Sequence, residues 1–383
     1  MKRALDFFWP AVGLVAVVWS VRLLYHKLLF EAAVDVRVRH LLEGGGLWSD
    51  IKIVATVIGH KLAIIPPQSY LLAGVSTLVA YAALAWYDRI SLIHLKRDKG
   101  ISWLYVSVCS FVTYALSHNI GVTVFSGGMV RYRAYTAKGL SAGEVAILVA
   151  LCSYTFAFGT VLLLALVLIG EPQILAPLGK ISSWFNVGEG VARGIGFALL
   201  GFCGLYTLGS WLRFPPLRFR SFELVYPRLN VVARQYIAAP LELIGAAGII
   251  YFALPAEGNP GFFIVLGAFL LSFSAGLLSQ VPGGVGVMEA VFLAIMPGMP
   301  ATSVFAALLV WRLFYLIIPL ALSIPVILLF ERAQLAGKRH VAHMADEARL
   351  AEEAQATSTT GVQAADAPQP ETEAAAKKGT PAL

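Results

Sequence analysis

Residues 117–135, SHNIGVTVFSGGMVRYRAY, decide how the rest of the chain is counted. An apolar stretch runs into Asn119, meets Gly127-Gly128, and emerges as Arg131-Tyr132-Arg133. The whole stretch 102–137 is apolar enough to enter a bilayer. The arm after the glycine pair, about 128–138, is too short to cross one and carries Arg131, Arg133 and Lys138. A second stretch, 262–297, is broken in the same way at PGGVGVME, residues 282–289. Both are predicted to be re-entrant hairpins that enter and leave on one side.

The composition sets the class. The chain has 383 residues, 58% of them hydrophobic and 13% charged; a soluble domain carries about 25% charged residues. It is predicted to be an all-α, polytopic integral membrane protein. The excess of 29 Lys and Arg over 22 acids marks cytoplasmic loops rather than a nucleic-acid surface. Cys109, Cys152 and Cys203 are odd in number, lie in apolar segments and lack a C-x-x-C, so they read as packing residues, neither disulfide-bonded nor metal-binding.

A span needs about 20 apolar residues. Full spans are expected near 7–29, 69–87, 143–169, 194–212, 236–254 and 302–330. The first resembles a signal peptide but has no A-x-A-like site, and is read as a retained span. Loop charge supports the count. Residues 88–101, 213–235 and 332–339 are basic, whereas 171–192 and 255–261 are acidic. With six spans and two hairpins, all basic loops fall on one side, placing both termini in the cytoplasm. Residues 31–65 leave two readings open, an external interfacial helix or, over 51–65, a further span. Residues 1–330 form the transporter-like region, 331–356 a cytoplasmic surface helix, and 357–383 a disordered tail rich in Thr, Ser, Ala and Pro.

The two broken stretches align. Setting Gly127-Gly128 on Gly283-Gly284 also sets Ala134 on Ala290 and Arg133 opposite Glu289. Three full spans separate the hairpins, so they open from opposite sides, as in an inverted-topology repeat. Non-helical backbone inside a bilayer needs protein or a watery cavity to pair its N–H and C=O groups. A half-helix starting just after Gly128 would turn its N–H groups inward and attract phosphate.

The runs S-H-N-I-G (117–121), S-G-G-M-V-R-Y-R-A-Y (126–135) and G-L-S-A-G-E (139–144), with Tyr87-Asp88 and V-P-G-G-V-G-V-M-E-A (281–290), carry a resemblance. Over roughly residues 1–330 the chain resembles the membrane region of the bacterial lysyl-phosphatidylglycerol synthase/flippase family, the multiple peptide resistance factors. The resemblance implies a bacterial inner-membrane flippase for aminoacylated phosphatidylglycerol. The further spans and the aminoacyl-transfer domain of the full-length pattern are not found in these residues, so synthase activity is not implied. A separate synthase supplying the lipid, or another anionic phospholipid as substrate, fits equally.

Candidate substrate contacts follow. Arg131 and Arg133, just past Gly127-Gly128, suit a phosphate; the alternative is anchoring at a hairpin end. Glu289, near Gly283-Gly284, suits a cationic headgroup or a proton; the alternative is an ion pair with Arg133 or Arg312. Arg312 lies inside a span and needs an acidic or lipid partner. His118 and Asn119 are expected to line the cavity. Asp88 and Glu144 read as helix caps, Glu242 as facing the cavity or pairing with Arg234, and Ser279 and Gln280 as satisfying freed backbone groups. No nucleophile or metal constellation stands out, so no cofactor and no enzyme activity are expected. An intramembrane headgroup-modifying enzyme and an accessory subunit of a lipid synthase are the alternatives. Phospholipid, a separate synthase and a second copy of the chain are the partners considered.

Overall fold

The computed structural model of the protein describes residues 47–120, 123–180, 187–214, 217–219, 222–224, 226–279, 281–329 and Arg332. The expected span 7–29, the surface helix 331–356 (Arg332 apart), the tail 357–383 and Gln280 lie outside them. The first compact unit, Met1–Val326, holds the helices described below; of the second, Ile327–Leu383, the structure describes 327–329 and Arg332.

The chain is a polytopic all-α membrane protein. Its helices are α1 (Leu47–Ile64), α2 (Pro67–His94), α3 (Trp103–Ile120), α4 (Thr123–Thr136), α5 (Ala142–Gly170), α6 (Glu189–Trp211), α7 (Leu229–Ala253), α8 (Phe262–Leu278), α9 (Val287–Ile295) and α10 (Ala301–Leu329). Five of them, α2, α5, α6, α7 and α10, are long and apolar enough to cross a membrane. They coincide with five of the expected spans. The stretch left open at 51–65 is α1, one helix that ends at Ile64 and packs on α10. The expected loop 213–235 contains a short antiparallel pair, β1 (Leu217–Phe219) and β2 (Phe222–Leu224).

Local chemistry sets the helix ends. Pro67 opens α2 at a position whose N–H has no intrahelical partner anyway. At α5, Glu144 N–H donates to Ser141 Oγ and Ser141 N–H donates to Glu144 Oε2, a reciprocal cap. Arg97 donates to the same carboxylate at 2.7 Å, which raises its own pKa. The expected capping role of Glu144 therefore holds.

Helix α7 is the centre. In its most apolar window 61% of residues are buried, against 22% for α6 and α10, so α7 faces protein where those two face outward. Small residues let the helices touch. A Cβ on Gly245 of α7 would lie 2.9 Å from Ala80 N and Ser76 O of α2. Without a hydrophobic force between helices in lipid, such close contact is what holds them.

The two broken stretches form packed pairs, α3 with α4 and α8 with α9. Helices α4 and α9 have 14 and 9 residues, too short for a core of ~30 Å at a rise of ~1.5 Å per residue. The first break is not where the glycines predict it. Helix α3 closes at Ile120 and α4 opens at Thr123, then runs through Gly127-Gly128 without interruption. In the second stretch the break is at the glycines, with φ of 61° at Gly283, 62° at Gly284 and 83° at Gly286. Only residues without a Cβ adopt this region readily.

Candidate functional site

The two breaks meet inside the helix bundle. A Cβ placed on Gly283 would lie 3.5 Å from Arg312 Nη1 and 3.9 Å from the His118 carbonyl oxygen. The end of α3 thus lies against the second break. Asn119 Nδ2 reinforces this, donating to Ala115 O at 2.8 Å and across to Leu316 O at 3.1 Å. The second of these acceptors belongs to a π-helical turn, Arg312–Ile317, inside α10. Such turns widen a helix and recur at functional sites.

At each break a carboxylate holds an arginine, Arg131 buried and Arg312 half-buried. On α4, Arg131 Nη2 donates to Asp88 Oδ1 at 2.7 Å, and Nε lies 3.2 Å from both oxygens. Tyr135, one turn along α4, donates to Asp88 Oδ2 at 2.9 Å, and the Cys152 thiol to Oδ1 at 3.4 Å. Arg131 also lies over the Tyr114 ring, 4.8 Å from its centroid. Asp88 is fully buried and Arg131 is 4% exposed. The sequence placed Asp88 at a helix cap just past a span ending at residue 87. Helix α2 instead continues to His94, which carries Asp88 into the interior.

The second pair is Glu289 and Arg312. Arg312 Nε donates to Glu289 Oε1, and Nη1 donates to the Gly283 carbonyl at 2.9 Å. Glu289 Oε2 accepts from Gly286 N–H at 2.8 Å, closing the start of α9. One guanidinium therefore pairs the acid and also satisfies a carbonyl freed by the break, as non-helical backbone in a membrane requires. Ser279 Oγ does similar work, donating to Gly276 O and accepting from Val281 N–H.

Three expectations are corrected. Of the two arginines named for Glu289, Arg312 engages it, and the juxtaposition with Arg133 set by the alignment is not formed. Arg133 is exposed and, two residues from Arg131, points from another side of α4. The N–H groups of Gly127 and Gly128 are not a free helix end. Gly127 is the fifth residue of α4, beyond the first four whose N–H groups lack partners. Its role is packing: a Cβ there would sit 2.5 Å from Ser117 Oγ and 3.1 Å from Thr113 Cγ2. Glu242 does not pair with the exposed Arg234; it accepts from Tyr315 at 2.5 Å.

Aromatic rings join the two halves. His118 stacks on Tyr315 at 5.2 Å, and Trp311 stacks on Tyr315 at the same distance. His118 Nδ1 and Trp311 Nε1 are buried without a hydrogen-bond partner among the described residues. Of the residues singled out from sequence, the structure brings His118, Asn119, Gly283 and Arg312 together at one place, with Gly284 and Glu289 beside them. Arg131 and Gly127 lie on the adjoining hairpin. The sequence reads Asp88 only as a helix cap, Tyr87 and Tyr135 only as parts of motif runs, and Tyr315 not at all. For Asp88 the signal was present: an acid inside one apolar helical pattern if that pattern is carried to residue 94.

No family model matches the chain. It is 31% identical over 247 residues to the uncharacterized protein slr0712 of Synechocystis sp., covering 63% of this chain and 73% of that protein. It is 27% identical over 258 residues to the inner membrane protein YbhN of Escherichia coli, covering 66% and 77%. It is 26% identical over 244 residues to the phosphatidylglycerol lysyltransferase of Staphylococcus aureus, covering 63% of this chain but 27% of that enzyme. The chain belongs to the family of bacterial membrane proteins that includes these relatives of Synechocystis and Escherichia coli, and it is related to part of phosphatidylglycerol lysyltransferase.

Proposed function

We propose that the protein moves an anionic phospholipid, aminoacylated phosphatidylglycerol or a relative of it, between the leaflets of a bacterial inner membrane. The observation that carries this reading is the meeting of two helix breaks around two carboxylate-held arginines, Arg131 buried and Arg312 half-buried. A lipid phosphate is the natural competitor for such a guanidinium, because its oxygens match the planar donor fork. Arg312 is the better placed of the two. Its Nη2 crowds the same Glu289 Oε1 that Nε engages, so an incoming phosphate would take over one of these two donors. A cationic headgroup would then face Glu289 as Arg312 turns from it. In this reading the α3–α4 and α8–α9 pairs are re-entrant and related by inversion, and both termini are cytoplasmic. Residues 1–330 are the transport domain, and a separate synthase supplies any aminoacylated lipid.

Reconstitution tests it. Proteoliposomes holding fluorescent phosphatidylglycerol or its lysyl ester are expected to lose leaflet exchange on Arg312→Lys and on Glu289→Gln, which keep most of the side-chain volume and polarity, with both variants still eluting as folded protein. Exchange at the wild-type rate in both would refute the site, and no exchange in wild type with either lipid would refute the function.

A further inference from the structure

Glu242 is a buried acid that no cation holds among the described residues. It lies on α7 just after Pro240 and is 1% exposed. Asp88 and Glu289 each have an arginine. Among the described residues, Glu242 has two phenols: Tyr315 donates to Oε1 at 2.5 Å, and the Tyr87 hydroxyl lies 3.5 Å from Oε2. Tyr87 precedes Asp88 in the chain, and Tyr315 lies three residues after Arg312 in the same π segment. One phenol on each side therefore joins this carboxyl to the two elements that carry the ion pairs.

Counting hydrogens indicates the state of the acid. Tyr87 has one hydroxyl hydrogen and two acceptors in reach, Ala239 O at 3.4 Å and Glu242 Oε2 at 3.5 Å. Tyr315 gives its hydrogen to Oε1, and Tyr81 gives its own to the Tyr315 carbonyl at 3.0 Å. If Glu242 carries a proton on Oε2, it donates to the Tyr87 oxygen while Tyr87 donates to Ala239 O, and every group is satisfied. Without that proton, a charge is buried among neutral groups, which is costly.

The surroundings supply little to hold such a charge. Helix α2 presents Tyr81, Tyr87 and Asp88, the last already paired with Arg131. Helix α5 presents Cys152, which donates to Asp88. The π segment presents Tyr315 and Arg312, the latter paired with Glu289. Helix α6 brings Tyr206 and Cys203, and Tyr206 bonds Gln235 two turns from Glu242. Helices α8 and α9 bring no titratable side chain other than Glu289, and Ala301–Trp311 of α10 brings none.

We propose that Glu242 is a proton-carrying carboxyl whose loading and release are coupled to lipid movement. The coupling arises because Tyr315 and Arg312 share the π turn. A phosphate that draws Arg312 from Glu289 shifts that turn, withdraws the Tyr315 hydroxyl from Oε1, and opens the acid to water. The proton then leaves to the side that is open and is replaced when the turn closes. The proton site stands on this geometry alone, and its coupling to lipid rests on the function proposed above.

Two measurements on the full chain in lipid test it separately. Infrared difference spectroscopy at neutral pH is expected to show a protonated carboxyl band in wild type that Glu242→Gln lacks and Glu242→Asp retains in shifted form. Survival of the whole band in Glu242→Gln would overturn the proton site. In proteoliposomes with fluorescent phosphatidylglycerol, a one-unit pH gradient should bias the leaflet ratio by up to about tenfold if one proton moves per lipid. Glu242→Gln should equilibrate the label without that bias, and Glu242→Asp should keep it. A bias unchanged in Glu242→Gln would overturn the coupling. A wild-type protein that shows the band yet moves no lipid would uphold the proton site and refute the lipid reading.

Discussion

Gly127 and Gly284 both stand where a side chain would collide, but against different neighbours and on different backbones. Gly127 has ordinary helical geometry, and what it makes room for is α3: Ser117 and Thr113 fill the space its Cβ would take. Gly284 has φ of 62°, and its neighbour is the backbone of Gly276 on α8, 3.2 Å from where a Cβ would be. The first glycine lets one hairpin arm lie flat on the other, so that Arg131 reaches Asp88. The second turns the chain, so that the Gly283 carbonyl meets Arg312. Two glycine pairs that align in sequence thus support two ion pairs inside the bundle by different physical means, close packing in one and left-handed backbone in the other.

The largest expected effect breaks the first region at its charge. Asp88→Ala leaves Arg131 buried without a carboxylate, which costs about 3–5 kcal/mol and is expected to abolish recovery of folded protein from detergent. Arg131→Met with Asp88→Leu, which removes both charges, should recover much of it, because apolar replacements of a buried pair are often tolerated. If the double variant is as poorly recovered as the single one, the pair does more than neutralise itself.

The next test separates the two glycine mechanisms. Gly284→Ala forces a Cβ into the left-handed region and against Gly276, and is expected to cost about 1–3 kcal/mol, read as a lowered midpoint in thermal unfolding. Gly127→Ala keeps its backbone but must displace Ser117, whose hydroxyl bonds Thr113 O at 2.7 Å, and a cost of about 1–3 kcal/mol from overpacking is expected. Ser117→Ala should relieve Gly127→Ala and leave Gly284→Ala unchanged. Relief of both, or of neither, would end the distinction.

The smallest effect has the opposite sign. A Cβ on Gly128 meets nothing within 4 Å, and the residue is inside a helix. Gly128→Ala should therefore stabilise by about 0.5–1 kcal/mol through lost freedom of the unfolded chain. A loss of stability there would show that Gly128 serves something other than the helix, and a loss of lipid exchange at unchanged stability would make it a site for substrate approach.

Much of the fold was legible because a span is a local sum. Twenty apolar residues in a row read as a crossing whatever lies beside them, and the five long helices fall where the hydropathy puts them. The location of the first break was not legible. A helix tolerates a Gly-Gly pair when a neighbour packs against it, and only the presence of α3 shows that one does. The candidate site was half legible. Arg131, Glu289 and Arg312 stand out as charges in apolar sequence, but their partners do not follow from spacing. Glu289 and Arg133 were set opposite by alignment, whereas bonding depends on which helices lie side by side.

By itself, then, the amino-acid sequence determined the class, the crossings and the presence of two broken stretches, since each of these depends on the local transfer of side chains and backbone from water to lipid. The tertiary structure decided that Asp88 takes Arg131, that Arg312 takes both Glu289 and the Gly283 carbonyl, and that Glu242 is left with two tyrosines. Those outcomes rest on contacts between elements as far as 155 residues apart, where a charge or a freed carbonyl inside a membrane must find its partner in the protein because lipid offers none.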